Sequence, residues 1–338
     1  MRFRVIECLR ERNTGVREKM NEDTVKNNQR EVTLLAGVFL GILLAYFLVS
    51  GLQVLLATKG IEMSLVMSIA LSELIILLPC LIYILVGNIN PIELLNLKRV
   101  KVGTVLLSIL AAILFTPLAI FLNVLSQLFV PNEAQEILFR FESNGSGLLL
   151  VIGGGVIAPL CEELAFRGVF ANRYRKFVSP IVAIFISALF FGLVHMNFNQ
   201  CLYAIALGVI FAVVNVASGS LCTSMIMHVS VNVLNIIPAL LVSRELELDA
   251  KMAEELTQSI TGGPMMIFIL IFYFGAAAVA STLGGLVIYA ISKVEGRTAE
   301  LKDIFSRHEK SRIHPILNVC AIISICMALA VMVGIELV

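Results

Sequence analysis

The feature that most constrains this 338-residue chain is a succession of apolar runs long enough to cross a bilayer. A spanning helix needs about 20 mostly apolar residues at 1.5 Å rise each, because lipid offers no partner to a free backbone group. Such runs occupy 32–57, 63–87, 102–130, 146–171, 179–197, 201–217, 221–242, 264–292 and 315–337, the 201–217 run being short enough for a tilted or partial span. Composition agrees, with 59% hydrophobic and only 14% charged residues, where a soluble domain carries about 25% charged. The reading is an all-α, polytopic transmembrane helix bundle of about 8–9 spans, a multi-pass protein of the cell membrane whose surroundings are membrane lipids.

The connections set the expected orientation. With the N-terminus in the cytoplasm, the first 31 residues and the 88–101, 172–178 and 293–314 connections fall inside and hold twenty of the 25 Lys and Arg residues. The opposite side holds only Lys59, Arg140, Arg244 and Lys251, and Arg167 lies inside a run. That asymmetry follows the positive-inside rule, and one missed span would invert every later connection. Residues 1–30 then form a polar cytoplasmic tail, without the short apolar core of a signal peptide, and residues 31–338 a single membrane domain. The net charge of +1 supplies no basic face and speaks against a nucleic-acid partner.

Seven cysteines are present, none in a CxxC pair, which fits small buried hydrophobes and not a disulfide framework or zinc knot. The acidic 243–263 connection reads as an amphipathic helix on the membrane surface, with a substrate lid as the sharper alternative. No internal repeat is evident, so the inverted-repeat signature of many transporters is missing.

Against this background the stretch APLCEELAFRGVF at 158–170 is anomalous, because it sets Glu162, Glu163 and Arg167 inside an apolar run. A charge at the centre of a spanning helix costs roughly 2.5–3.5 kcal/mol on insertion scales, so each needs a partner or a purpose. Glu163 and Arg167 stand four apart with the acid first, the favourable helical pairing. Glu162 points about 100° away and lacks that partner. Only two of the four histidines fall in runs, His195 and His228, and His228 shares a helix face with Asn232 one turn on. Glu162 lies roughly 16 Å above the basic edge and His228 about 12 Å, at 1.5 Å per residue. His195 lies higher, so tilt or a shortened helix has to close the gap. Glu73, a further acid within a run, either sits near the outer end or lines the same cavity.

The ordered set EExxxR at Glu162, Glu163 and Arg167, FxxxH at Phe191 and His195, and HxxxN at His228 and Asn232 resembles the CAAX protease and bacteriocin-processing family, which includes the Ras-converting endoprotease type and the Abi proteins. The resemblance covers about residues 145–240 and implies a catalytic core at about 145–242. It implies an intramembrane endopeptidase acting on a membrane-associated peptide or protein, either a prenylated CAAX-type tail or a leader or bacteriocin-like peptide. By the same resemblance Glu162 is the general base on a water that His195 helps to hold, Glu163 and Arg167 position the base, and His228 and Asn232 stabilise the oxyanion. No cofactor is favoured on that reading. Glu162, His195 and His228 are also a two-histidine, one-carboxylate set that zinc could use.

Other intramembrane protease chemistries lack their residues. No HExxH occurs, none of Asp23, Asp249 and Asp303 lies in a run, and no GxSG element supplies a serine. Two non-proteolytic readings stay open: a membrane scaffold or bacteriocin-immunity protein using the same cavity, and an ion-coupled transporter with Glu162 as a proton relay. For the latter, glycines 153 to 155 before Pro159 could loosen one span.

Overall fold

Each apolar run closes its backbone hydrogen bonds locally, and no strand occurs among the described residues, which are 2–61, 63–130, 147–245, 264–306 and 318–336 of a computed structural model. In chain order the helices are α1 (Arg2–Ala57), α2 (Leu65–Val86), α3 (Pro91–Leu95), α4 (Val102–Ser126), α5 (Gly147–Tyr174), α6 (Pro180–Leu193), α7 (Phe198–Ser218), α8 (Leu221–Glu245), α9 (Pro264–Val294), α10 (Thr298–Asp303) and α11 (Val319–Glu336). Seven of them are long and apolar enough to cross a membrane, and α6 and α11 are shorter apolar helices. Together these nine correspond one for one to the nine runs.

Three local features bear on the expectation, and the last of them departs from it. The polar tail is helical from Arg2 and continues without a break into the first apolar run. The acidic connection lies almost wholly outside the described residues, as do His308 and His314. The run at 179–197 is helical only to Leu193. At 14 residues α6 is roughly 21 Å long, short of the ~30 Å hydrocarbon core. A turn over 194–197 follows, closed by bonds from the Val194, His195 and Met196 N–H groups to the Phe190, Gly192 and Leu193 carbonyls at 3.0, 3.3 and 3.2 Å. His195 and Asn199 are therefore on different elements, not successive turns of one helix. Of the tilt or shortening that the depths call for, the structure shows the shortening.

Helix starts follow ordinary capping chemistry. The Ser64 side chain accepts from Met67 N–H, Asn90 from Ile92 N–H, and Asn197 from Gln200 N–H at 2.9 Å; Pro91 and Pro180 open α3 and α6, where a missing N–H is harmless. Packing forms two main cores. One joins α1, α2, α5 and α6 through Phe39, Phe166, Phe170 and Phe190, with Phe39 stacked on Phe190 at 4.0 Å. The other joins α4, α7, α8 and α9 through Phe115, Phe211, Met227 and Ile291. The outer faces of α2, α4 and α9 keep large exposed apolar residues, as lipid-facing helices do.

Polar ties at the basic edge hold the two halves in register. Arg173 donates to Glu31 Oε2 at 2.8 Å and to Tyr83 Oη at 3.0 Å, and Tyr83 Oη donates to Glu31 at 2.9 Å, so α1, α2 and the end of α5 share one cluster. Asn96, in a left-handed conformation after α3, donates through Nδ2 to Gly219 O at 2.7 Å, and Ser220 Oγ donates to Lys98 O at 2.6 Å. These bonds set the start of α8.

α6 and α7 touch closely at Gly192. A Cβ there would lie 2.4 Å from Ile205 Cγ1 and 2.9 Å from the Cys201 carbonyl oxygen. Gly192→Ala is expected to destabilise the protein by about 1–3 kcal/mol through overpacking, read as a lower thermal midpoint in detergent. Gly275→Ala, where the added carbon meets open space, leaves the midpoint unchanged or raises it.

Candidate active site

The helix that carries EExxxR is not a regular α-helix. α5 has π-helical turns at Gly153–Ile157 and Glu163–Ala171, with an α-turn, Ala158–Glu162, between them. The first follows from Pro159, which has no N–H to give. The Ala158 N–H bonds Gly153 O, and the next donor along the widened ladder would be the absent one on Pro159. Gly154 O is thus left without a helical partner, and Asn232 Nδ2 on α8 donates to it at 3.0 Å. A widened turn braced by a neighbouring side chain recurs at functional sites.

The second π-turn carries the buried ion pair. Glu163 and Arg167 are almost completely inaccessible, and Arg167 Nη1 lies 2.9 Å from Glu163 Oε1. The approach is off the in-line direction of a hydrogen bond, and no guanidinium nitrogen has such a bond among the described residues. The cation is instead held between ring faces, 4.1 Å from the Phe191 centroid and 5.2 Å from Phe211. Stacking a desolvated guanidinium on aromatic faces is worth about 2 kcal/mol or more. Room for it depends on Gly208 of α7, where a Cβ would meet Arg167 Nη2 and the Ala188 backbone, both at 3.0 Å.

The same Glu163 Oε1 accepts from His228 Nδ1 at 3.0 Å. A carboxylate oxygen only accepts, so Nδ1 carries the hydrogen. His228 is fixed further by Phe211, stacked on it at 4.6 Å, and by the edge-on Phe191 ring at 5.5 Å. His195 Nδ1 lies 2.7 Å from Phe191 O, and a carbonyl also only accepts, so this ring too is hydrogenated at Nδ1. Both histidines therefore turn Nε2 toward Glu162. Nε2 of His228 is 3.6 Å from Glu162 Oε2, and Nε2 of His195 is 4.0 Å from Glu162 Oε1. Those separations exceed a direct hydrogen bond.

The fold thus gathers Glu162, Glu163, Arg167, His195 and His228 into one cluster from α5, the α6–α7 turn and α8. Asn232 sits beside it with one amide hydrogen committed to Gly154. Among the described residues no three His, Cys, Asp or Glu side chains close into a metal-binding group. Glu73 is buried, with Oε2 unpartnered among the described residues. Phe211 and Gly208 were not singled out by the sequence; an aromatic and a glycine in an apolar run carry no distinguishing signal until a charge is seen against them.

Removing the cation alone should expose how the cluster is balanced. Arg167→Met leaves a buried carboxylate opposed only by His228, and a loss of about 3–5 kcal/mol is expected in a thermal or SDS titration. Adding Glu163→Gln to that variant should recover part of the loss, because the uncompensated charge goes with it.

No curated protein and no solved structure matches the chain. The segment that carries Glu162, Glu163, Arg167, His195, His228 and Asn232 does have a match. Residues 144–234 match the family of type II CAAX prenyl endopeptidases, Rce1-like, and it is to this membrane-protease family that the polar core of the chain is similar.

Proposed function

We propose that the protein is an intramembrane endopeptidase of the cell membrane, hydrolysing a peptide bond in a membrane-associated substrate with Glu162 as the base that activates water. The substrate is a prenylated CAAX-type tail or a leader or bacteriocin-like peptide. The observation that carries this reading is the division of labour between adjacent carboxylates. Glu163 is committed to Arg167 and His228, whereas Glu162 has no direct hydrogen bond among the described residues and faces two Nε2 atoms at 3.6 and 4.0 Å.

The chemistry follows from those positions. A water between Glu162 and His195 gives one hydrogen to the carboxylate while the His195 Nε2 lone pair accepts the other, which orients an oxygen lone pair at the scissile carbonyl carbon. Attack forms the C–O bond and moves the carbonyl π pair onto oxygen. His228 can donate to that oxyanion when Nε2 carries a hydrogen as well. The second amide hydrogen of Asn232 is the other candidate donor. On collapse the C–N bond breaks, and the leaving amine takes the proton held by Glu162. A preorganised donor aimed at the oxyanion is worth about 10²–10³ in rate, and a positioned base roughly 10²–10⁴.

Glu162, His195 and His228 are the side chains that a zinc ion would have to use, and as placed they do not close into a metal-binding group. The reading preferred here needs no metal. N-terminal proteomics on host membranes should show termini that vanish with Glu162→Gln at matched expression and unchanged thermal midpoint. Purified protein stripped with a chelator should keep its cleavage rate. Activity that returns only on adding zinc would overturn the metal-free part, and identical termini with an intact phenotype would point to a scaffold or immunity role.

A further inference from the structure

His195 is the one member of the cluster that no helix holds. It occupies the turn between α6 and α7, and Met196 beside it takes a left-handed φ of +51°. For a residue other than glycine that conformation is disfavoured, by about 1–2 kcal/mol, so something must oppose relaxation of the turn. On the α6 side the brace is the Nδ1–H bond to Phe191 O. On the α7 side it is a polar knot two residues beyond the cap.

Asn199 is completely buried. Its Nδ2 donates to Ser126 Oγ at 2.8 Å and to Asn123 O at 3.2 Å, and its Oδ1 accepts from Asn123 Nδ2 at 3.0 Å. Ser126 Oγ lies 2.7 Å from Asn123 O and 3.4 Å from Asn199 O, and Gln127 Nε2 donates to Asn123 Oδ1 at 2.6 Å. All of these partners lie at the end of α4. The first turn of α7 is therefore bolted to α4 through one side chain whose three polar contacts are all made. The side chain is turned toward α4, and the backbone of Phe198, Asn197 and Met196 joins it to His195.

We propose that Asn199 is a positioning residue for the reaction: by fixing the start of α7 to α4 it holds the Met196 turn in its left-handed form and so keeps His195 Nε2 facing Glu162. The inference rests on the endopeptidase reading only for its consequence in rate; the claim about His195 stands by itself. Cutting the knot lets Met196 relax to negative φ, and the His195 ring then leaves the Phe191 carbonyl.

The test uses full-length protein in lipid nanodiscs, labelled with ¹⁵N-histidine, with His195 signals assigned by their loss in His195→Ala. In the wild type His195 should show a single neutral tautomer, hydrogenated at Nδ1. Asn199→Ala should convert this to a tautomer mixture, and Glu162-dependent cleavage on host membranes should fall roughly tenfold, the loss of a hydrogen-bonded placement. Met196→Gly, which accepts the left-handed form freely, should restore part of both readouts in the Asn199→Ala background, a coupling that additive structural damage does not give. Should Asn199→Ala fail to fold, Ser126→Ala removes a single strut and must shift the His195 spectrum in the same direction. A folded Asn199→Ala or Ser126→Ala protein with an unaltered His195 spectrum overturns the proposal. Wild-type protein without Glu162-dependent termini sinks the peptidase reading instead, and leaves the spectrum to decide the positioning.

Discussion

The buried pair of Glu163 and Arg167 is the interaction on which the rest of this structure leans. Two charges on one apolar helix are tolerable only if each is answered at close range, since an isolated one in hydrocarbon carries a penalty of several kcal/mol. Glu163 is answered by Arg167 and by the Nδ1 hydrogen of His228, and Arg167 by Glu163 and the faces of Phe191 and Phe211. Four helices are thereby committed to one arrangement: α5 brings the charges, α6 and α7 the rings, and α8 the histidine. Each group that neutralises the pair also limits where another can sit. Phe191 is the clearest case, because its ring covers Arg167 and contacts His228 while its carbonyl fixes the tautomer of His195.

With Glu163 consumed in this way, Glu162 is left as the carboxylate whose surroundings are not committed. Interrupted helices produce that asymmetry. Pro159 withholds an N–H, the ladder widens over three glycines, and the freed carbonyl recruits Asn232 from α8. α6 stops early, and the chain turns where a full-length helix would have carried His195 past the cluster. Non-helical backbone at such a level is viable only where protein or water satisfies it. Here the turn's own N–H groups bond within it, and the polar knot at the end of α4 secures its far side. The likeness of residues 144–234 to a family of prenyl endopeptidases falls on this interrupted region, where α5 and α8 press together, and not on the plainer helices around it.

Much of this was open to reading in the primary structure, and the parts that were not share a cause. Apolar runs of about 20 residues dictate helices because no other structure satisfies the backbone in lipid, so nine helical segments and their approximate limits needed no tertiary information. The acid-to-base spacing of Glu163 and Arg167 likewise determined their pairing, since it depends only on local helical geometry. Spacing also indicated that Glu162 would lack that partner. What occupies the space around Glu162 was a question for the tertiary structure alone. The aromatic faces on Arg167, the place of Gly208, the buried position of Glu73 and the anchoring of α7 by Asn199 all depend on which helices pack together, and an apolar run offers lipid and protein neighbours the same surface. The early end of α6 belongs to the same group: nothing in its composition separates residues that continue a helix from residues that leave it, and the difference lies in the partners waiting for His195 and Asn199. The sequence by itself determined that charges would have to be buried here and that Glu163, not Glu162, would pair with Arg167, while the packing of helices decided which side chains surround Glu162.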